Sequence, residues 1–349
     1  MKKISTIGII GGGQLGRMTC FYAHKMGFRT VVLSDQENSP ASFVTNQTIV
    51  ADYENEEALQ NFAQMIDIAT FEFENIPFET VNFLSKHVEV CPSAEVLKIT
   101  QHRILEKNFL NSIGIKTAQY AEISGLDSLL ANLEKFGKAI LKTATMGYDG
   151  KGQFVLKTAQ DARDCWIMAR DHKLILEKFC PFDSEISVMV ARSKTGEVAA
   201  YEPLTNIHKN GILDESHYPA KISEGLKAKA QELAKKIAAE LNLIGVLAVE
   251  MFVIGDELLV NELAPRPHNS GHFSMDAAIT SQFEQLIRAI TGLPLGSTEF
   301  HSQGYMKNLI GEEVNDLEKF YQNPRAKIHL YGKEKVAVGR KMAHVNILK

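Results

Sequence analysis

Apolar runs and helical repeats alternate through the first hundred residues. The segments "ISTIGII" (4–10), "TVVLSD" (30–35) and "IATFEF" (68–73) are short and almost continuously apolar, the texture of strands covered on both faces. Between them, "GRMTCFYAHKMG" (16–27) and "EEALQNFAQMI" (56–66) space their apolar residues three and four apart, as amphipathic helices do. Strands and helices in alternation predict a parallel sheet flanked by helices, an α/β unit. "VEVCPSAEVLKITQHRILEKNFLNSIGI" (88–115) follows a proline with one long helical pattern that leads into a second domain.

From about residue 117 to 190 the strands shorten and glycine-rich turns appear, as in "KAILKTATMGYDGKGQFVLK" (138–157) and "KLILEKFCPFDSEISVMVARSKTGEVAAY" (173–201). This predicts a small antiparallel α+β unit. "EGLKAKAQELAKKIAAELNL" (224–243) is amphipathic and helical, and "GVLAVEMFVIGDELLVNELAPR" (245–266) reads as a hairpin. Beyond Leu293 short strands remain, "AKIHLYG" and "VAVGRKMAHVNIL", which predict a small final β-rich domain.

Composition narrows the class. The chain has 349 residues, 45% of them hydrophobic and 23% charged, with a net charge of −4. That length suits two or three domains, and the absence of a basic cluster argues against a nucleic-acid or membrane surface. Glycines interrupt the first apolar run too early for a signal peptide. Cys20, Cys91, Cys165 and Cys180 are scattered, as in a cytoplasmic protein.

Candidate chemistry begins at "TIGIIGGGQLGRM". Gly11, Gly13 and Gly16 have the G-x-G-x-x-G spacing of a dinucleotide loop, and Asp35 stands where a ribose-binding acid would. The pattern fixes a backbone shape more firmly than a ligand. The hairpin says more. A three-residue loop, Gly255 to Glu257, would set Glu250 opposite Glu262, and two facing carboxylates repel unless a cation lies between them. With Asn261 beside them, the oxygens suit Mg²⁺; the competing reading is a solvated acidic face. Lys142 with "GYDGKGQ" (147–153) reads either as a phosphate-neutralising loop or as a simple hairpin turn. Glu177 and Glu185 end and follow a strand that could border a purine and its ribose, or simply lie at the surface. Arg266, His268, Asn269, Ser270 and His272 crowd the end of the hairpin, where substrate contacts gather.

In this order, Lys142, the 147–153 segment, Glu177 to Cys180, Glu185 and the Glu250/Asn261/Glu262 set resemble the ATP-grasp superfamily. "GGGQLGRM", "FEFENIP", "NELAPRPHNSGH", "NLIG" and "GRKMAHVN" resemble, more narrowly, the branch that carboxylates aminoimidazole ribonucleotide in purine biosynthesis. The resemblance implies a Rossmann-like domain at 1–101, an ATP-grasp domain at 102–292 with a small lid near 117–183, and a C-terminal domain at 293–349. It implies ATP and Mg²⁺ as cofactors, bicarbonate and the ribonucleotide as substrates, and a homodimer. Arg103, Lys142, Gly147, Tyr148, Asp149, Gly150, Lys151, Gly152 and Gln153 would meet ATP phosphates. Glu177, Lys178, Phe179 and Cys180 would line the adenine, with Glu185 on the ribose and His208 nearby. Glu250 and Glu262 would hold the metal, supported by Asn261. Gly13, Gln14, Leu15, Glu72, Tyr148 and Asn269 would meet the ribonucleotide, and Arg340 with Lys341 its phosphate. Arg266, His268 and Lys142 would carry the chemistry.

A nicotinamide oxidoreductase accounts for residues 8 to 35 and nothing after 140. A formate-dependent glycinamide ribonucleotide transformylase or a biotin carboxylase shares the ATP half, but should differ around "PRPHNSGH" and "GRKMAH". In the latter segment Ala343 stands where the family usually has glycine.

Overall fold

The computed structural model describes residues 4–145, 147 and 152–349. Of the residues expected at the nucleotide, Tyr148, Asp149, Gly150 and Lys151 lie outside these described residues. The first unit is a four-stranded parallel sheet of β1 (Thr6–Ile10), β2 (Arg29–Ser34), β3 (Gln47–Val50) and β4 (Ile68–Phe71), in the order β3-β2-β1-β4. Helices α1 (Gln14–Lys25), α2 (Glu56–Met65) and α3 (Phe78–Leu84) cover it. Alternate residues of β1 serve two cores: Ile7 and Ile9 join Cys20 and Ala23 of α1, while Ile10 joins Leu59 and Phe62 of α2. Gly8 lets α2 approach, since a Cβ there would lie 2.6 Å from the Phe62 ring.

The long helical pattern expected over 88–115 is two helices, α4 (Ala94–Gln101) and α5 (Arg103–Ser112). His102 is extended (φ −120°, ψ 105°) and breaks the run, which makes Arg103 the first residue of a new helix. The apolar period continues across the break, so periodicity alone could not reveal it.

The second unit is antiparallel throughout. Strands β5 (Tyr120–Ile123), β6 (Ala139–Thr143), β7 (Gln153–Leu156) and β8 (Leu174–Lys178) lie in the order β5-β8-β6-β7. Helices α6 (Leu126–Phe136) and α7 (Ala159–Ala169) bury Leu129, Leu133 and Ala162 against Leu141, Leu156 and Leu176. Thr158 and Asp161 form a capping box that starts α7.

The third sheet has nine strands. They are β9 (Ser184–Arg192), β10 (Val198–Ala200), β11 (Leu204–Lys209), β12 (Ile212–Tyr218), β13 (Gly245–Ile254), β14 (Glu257–Ala264), β15 (Gly304–Ile310), β16 (Ala326–Leu330) and β17 (Lys341–Leu348). Their order is β14-β13-β9-β11-β12-β15-β17-β16, with β10 beside β9. The C-terminal strands therefore continue the central sheet through the β12–β15 pairing. Helix α8 (Glu224–Glu240) packs on this sheet, and α10 (Gln282–Thr291) joins it to α1. Short helices α9 (Ser274–Ala277) and α11 (Glu318–Tyr321) fill connections.

Candidate active site

The hairpin β13–β14 reaches the expected pairing by another route. Its turn has two residues, Gly255 and Asp256, because Ile254 pairs with Glu257. A bulge then shifts the register between Glu250 and Met251, so Asn261 and Glu262 together oppose Glu250. Glu250 also pairs with Ser187 on β9, which places a row of polar groups across three strands. Burial first, and Glu262 next, push the Glu250 carboxyl up to about 8. The buried Asn261 Oδ1 has no hydrogen-bond partner among the described residues. Among the described residues no three His, Cys, Asp or Glu side chains form a metal cage. Two carboxylates and an amide oxygen instead fit a hard cation that completes its shell with phosphate oxygens and water.

Lysines frame the side where the sequence places a nucleotide. Lys142 Nζ lies 2.9 Å from Glu177 Oε2, and Lys107 Nζ lies 3.4 Å from Oε1 of the same carboxylate. All three side chains are buried. Burial alone would raise Glu177, but the two ammonium groups overcome it and hold the carboxyl at about 2. The Glu177 side chain is thus engaged with lysines, so an adenine bound here would meet the backbone of Lys178, Phe179 and Cys180. The Phe179 ring carries Lys138 Nζ over its face at 3.3 Å. Arg103 Nη1 is 3.1 Å from Glu262 Oε2. His208 Nδ1 is 2.5 Å from Glu185 Oε2; burial opposes its charge, but this carboxylate raises the imidazole above its ordinary value.

After β14, the chain turns at Pro265 and Pro267 into a short 3-10 turn, Asn269–Phe273. Arg266 is ion-paired with Glu74. That guanidinium overcomes the burial of Glu74 and holds its carboxyl at about 2. His268 is pressed down to about 3 by burial and by the neighbouring Arg266 and Lys341 cations. Its Nε2 faces Glu250 Oε1 at 3.5 Å.

Two cavities meet at this turn. One, of about 240 Å³, is bordered by Gln14, Leu15, Glu74, Gly147 and Arg266. The other, of about 310 Å³, is bordered by Lys142, Gln153, Glu185, His208, Glu250 and Asn261. Arg103, Glu262, His268, Asn269 and Lys341 line both. Gly152 has φ +71° and lies beside the Thr143 side chain.

The dinucleotide reading of the first loop fails on one carboxylate. Helix α1 has neither a side-chain cap nor an acid in its first turn. Glu72, from the end of β4, accepts the N–H of Gly13 and, at 2.8 Å, that of Gly16. The carboxylate occupies the helix N-terminus where a pyrophosphate would sit. Asp35 accepts the Tyr53 hydroxyl at 3.3 Å. The Arg340 guanidinium donates to the Lys335 carbonyl at 2.9 Å, outside the walls of these two cavities. Ala343 is buried in β17, opposite Leu309 and Leu330.

Sequence reasoning missed Lys107, Glu74 and Glu106. Glu106 is buried, accepts the Leu263 N–H at 2.8 Å and is raised to about 8, chiefly by burial. A charged pair inside an amphipathic helix, Glu106-Lys107, was the available signal, since such groups are rarely buried without partners.

Three family models match in chain order: a ribonucleotide synthetase preATP-grasp domain over residues 4–101, an ATP-grasp domain over 108–283, and a phosphoribosylaminoimidazole carboxylase C-terminal domain over 304–349. The chain is therefore an ATP-grasp ligase. N5-carboxyaminoimidazole ribonucleotide synthases from Bacillus subtilis and Brucella melitensis are 44% and 43% identical to it. These alignments cover 99% and 100% of this chain, and 92% and 98% of the relatives. A solved ADP complex of such a synthetase superposes with a TM-score of 0.96 at 44% identity, covering 100% of this chain and 94% of the other. An Aspergillus clavatus relative with ADP and 5-aminoimidazole ribonucleotide superposes at 0.94 with 30% identity, covering 100% and 95%. The chain belongs to the N5-carboxyaminoimidazole ribonucleotide synthase family.

Proposed function

We propose that this enzyme spends ATP to activate bicarbonate and carboxylates the exocyclic amine of 5-aminoimidazole ribonucleotide. The products are N5-carboxyaminoimidazole ribonucleotide, ADP and phosphate. The observation that carries the reading is the shared wall of the two cavities. A molecule as small as bicarbonate, held at Arg103, His268, Asn269 and Lys341, would touch a nucleotide on one side and a ribonucleotide on the other.

A bicarbonate oxygen attacks the γ-phosphorus, the bond to ADP breaks, and carboxyphosphate forms. The amine then takes the carboxyl group, releases phosphate and loses a proton. Lys142 and Arg103 offset charge on the transferring phosphoryl group, and Arg266, fixed by Glu74, orients the bicarbonate oxygens. A neutral His268 lends an N–H without adding to the cations already present. Glu250, Glu262 and Asn261 would hold Mg²⁺, which supplies charge neutralisation between phosphate groups. Gln14, Leu15 and Asn269 would face the ribonucleotide, with Lys341 near its phosphate. Glu72, by shaping the first glycine loop, would set where that substrate lies. The family resemblance supports a homodimer, and four free thiols suit a reducing, cytoplasmic setting. Among the described residues no helix is long and apolar enough to cross a membrane.

The test is ADP release with Mg²⁺, ATP and bicarbonate, with and without the ribonucleotide. Release that needs both the ribonucleotide and bicarbonate is expected. Release indifferent to the ribonucleotide would return the substrate question to other ATP-grasp ligases.

A further inference from the structure

His268 stands where the two cavities meet, and the protein has gone to some length to hold its ring. Its Nδ1 is 2.8 Å from Ser270 Oγ and 3.3 Å from the Ser270 backbone nitrogen. A backbone N–H can only donate, so Nδ1 is an acceptor and the ring proton sits on Nε2. The hydroxyl of Ser270 is oriented in turn, because Ser187 Oγ donates to it at 2.8 Å. Both serines are fully buried. Ser187 pairs with Glu250 across β9 and β13, so the relay starts on the strand that also borders the metal-binding acid.

The backbone of His268 is clamped as well. Gln282, fully buried at the start of α10, accepts the His268 N–H at 2.8 Å through Oε1. Its Nε2 donates to the His268 carbonyl at 2.8 Å and to His272 Nδ1 at 3.0 Å. A Cβ on Gly271 would lie 2.5 Å from Gln282 Oε1, so the clamp requires glycine at that position.

We propose that Ser187 and Ser270 are positioning residues that lock His268 in its Nε2–H tautomer, making the imidazole a fixed hydrogen-bond donor to the activated bicarbonate and not a base. The proposal rests on the function proposed above for what the donor serves, but the tautomer itself does not. A buried imidazole whose far nitrogen accepts two hydrogen bonds cannot present a lone pair to the cavity. Proton removal from the carboxylated amine must then fall to another group or to water. The design favours donation to oxygens that gain charge as carboxyphosphate forms.

Nitrogen-15 NMR of histidine-labelled enzyme near neutral pH, with the His268 signals assigned by loss in His268→Gln, reads the tautomer directly. An unprotonated Nδ1 with a protonated Nε2 is expected; a proton on Nδ1, or on both nitrogens, overturns the proposal. This part needs neither substrate nor a serine variant, so its failure is distinct from failure of the carboxylation reading. Ser270→Ala should lower kcat roughly 10–100-fold, the scale of loss when the outer partner of a metal-ligating histidine is removed, while KM for ATP stays unchanged. Its histidine signals should move toward exchange between tautomers. Ser187→Ala should show the same signature more weakly. Unaltered nitrogen signals and kcat in a folded, ADP-binding Ser270→Ala enzyme would reduce the serines to packing and overturn the proposal.

Discussion

Glu72 takes the place at the first glycine loop that a phosphate fills in dinucleotide enzymes. Its carboxylate is an anion covalently built into the end of β4, and it satisfies two helix N–H groups that no local side chain reaches. Gly13 makes the approach possible, since a Cβ there would lie 2.4 Å from Glu72 Oε1. Gly13→Ala should therefore displace the carboxylate and cost about 1–3 kcal/mol, readable as a lowered urea midpoint. A variant as stable as the parent would remove this account of the loop. Arg266→Ala should lower kcat on the order of 10²–10³, the typical loss for one preorganised charge contact, with KM for ATP retained. A rise in ATP KM at constant kcat would instead put Arg266 on the nucleotide. The glycine spacing was legible in the sequence. Its occupant was not, because Glu72 lies more than fifty residues along the chain and only the sheet brings the two together.

The bulge in β14 is the element that brings three oxygen-bearing side chains together on the hairpin. A regular ladder sends consecutive side chains to opposite faces, whereas here Asn261 and Glu262 both oppose Glu250. The spacing of the acids predicts a three-residue turn. The structure obtains the same pairing from a two-residue turn plus one extra strand residue, and a sequence does not distinguish these. Asn261→Leu keeps the hairpin apolar and removes the third oxygen. Its Mg²⁺ requirement for ADP release should rise about 10–100-fold, as when a supporting group of a metal site is lost. An unchanged Mg²⁺ titration would show that the amide has no part in holding the cation. The break at His102 was equally hidden, yet it sets Arg103 at a helix start within 3.1 Å of Glu262. The Lys107–Glu177–Lys142 triad joins residues of α5, β6 and β8, so no local window of sequence contains it.

Across the whole molecule, titrating groups are buried in two opposed sets. His268, His272 and His344 are depressed below their ordinary value, first by burial. Their stabilising share is full above about pH 6.5 and is lost as pH falls through the depressed values. Glu106 and Glu250, raised to about 8, and Glu72, raised by burial, act oppositely: their share is full below about pH 4.5 and is lost as pH rises through the raised values. Glu74 and Glu177, held at about 2, lose their share below about pH 4.5. Stability should therefore change little between pH 6.5 and 4.5, where histidines and raised glutamates compensate, and fall steeply below 4.5. Thermal midpoints across this range check it, and a midpoint still level at pH 3 would contradict it. At this scale the alternation of strands and helices, and the order of motifs along the chain, made the parallel sheet and the ATP-grasp region readable. The merging of the C-terminal strands into one nine-stranded sheet was not, because edge-to-edge pairing leaves no mark on local periodicity.

The most direct test of the account follows oxygen. With bicarbonate labelled by oxygen-18, ATP, Mg²⁺ and aminoimidazole ribonucleotide, the inorganic phosphate released should carry one bicarbonate-derived oxygen, because the bond made in carboxyphosphate is broken on its carbon side. Phosphate that acquires no label from bicarbonate would contradict the central claim, since ATP would then be cleaved without passing its phosphoryl group through bicarbonate.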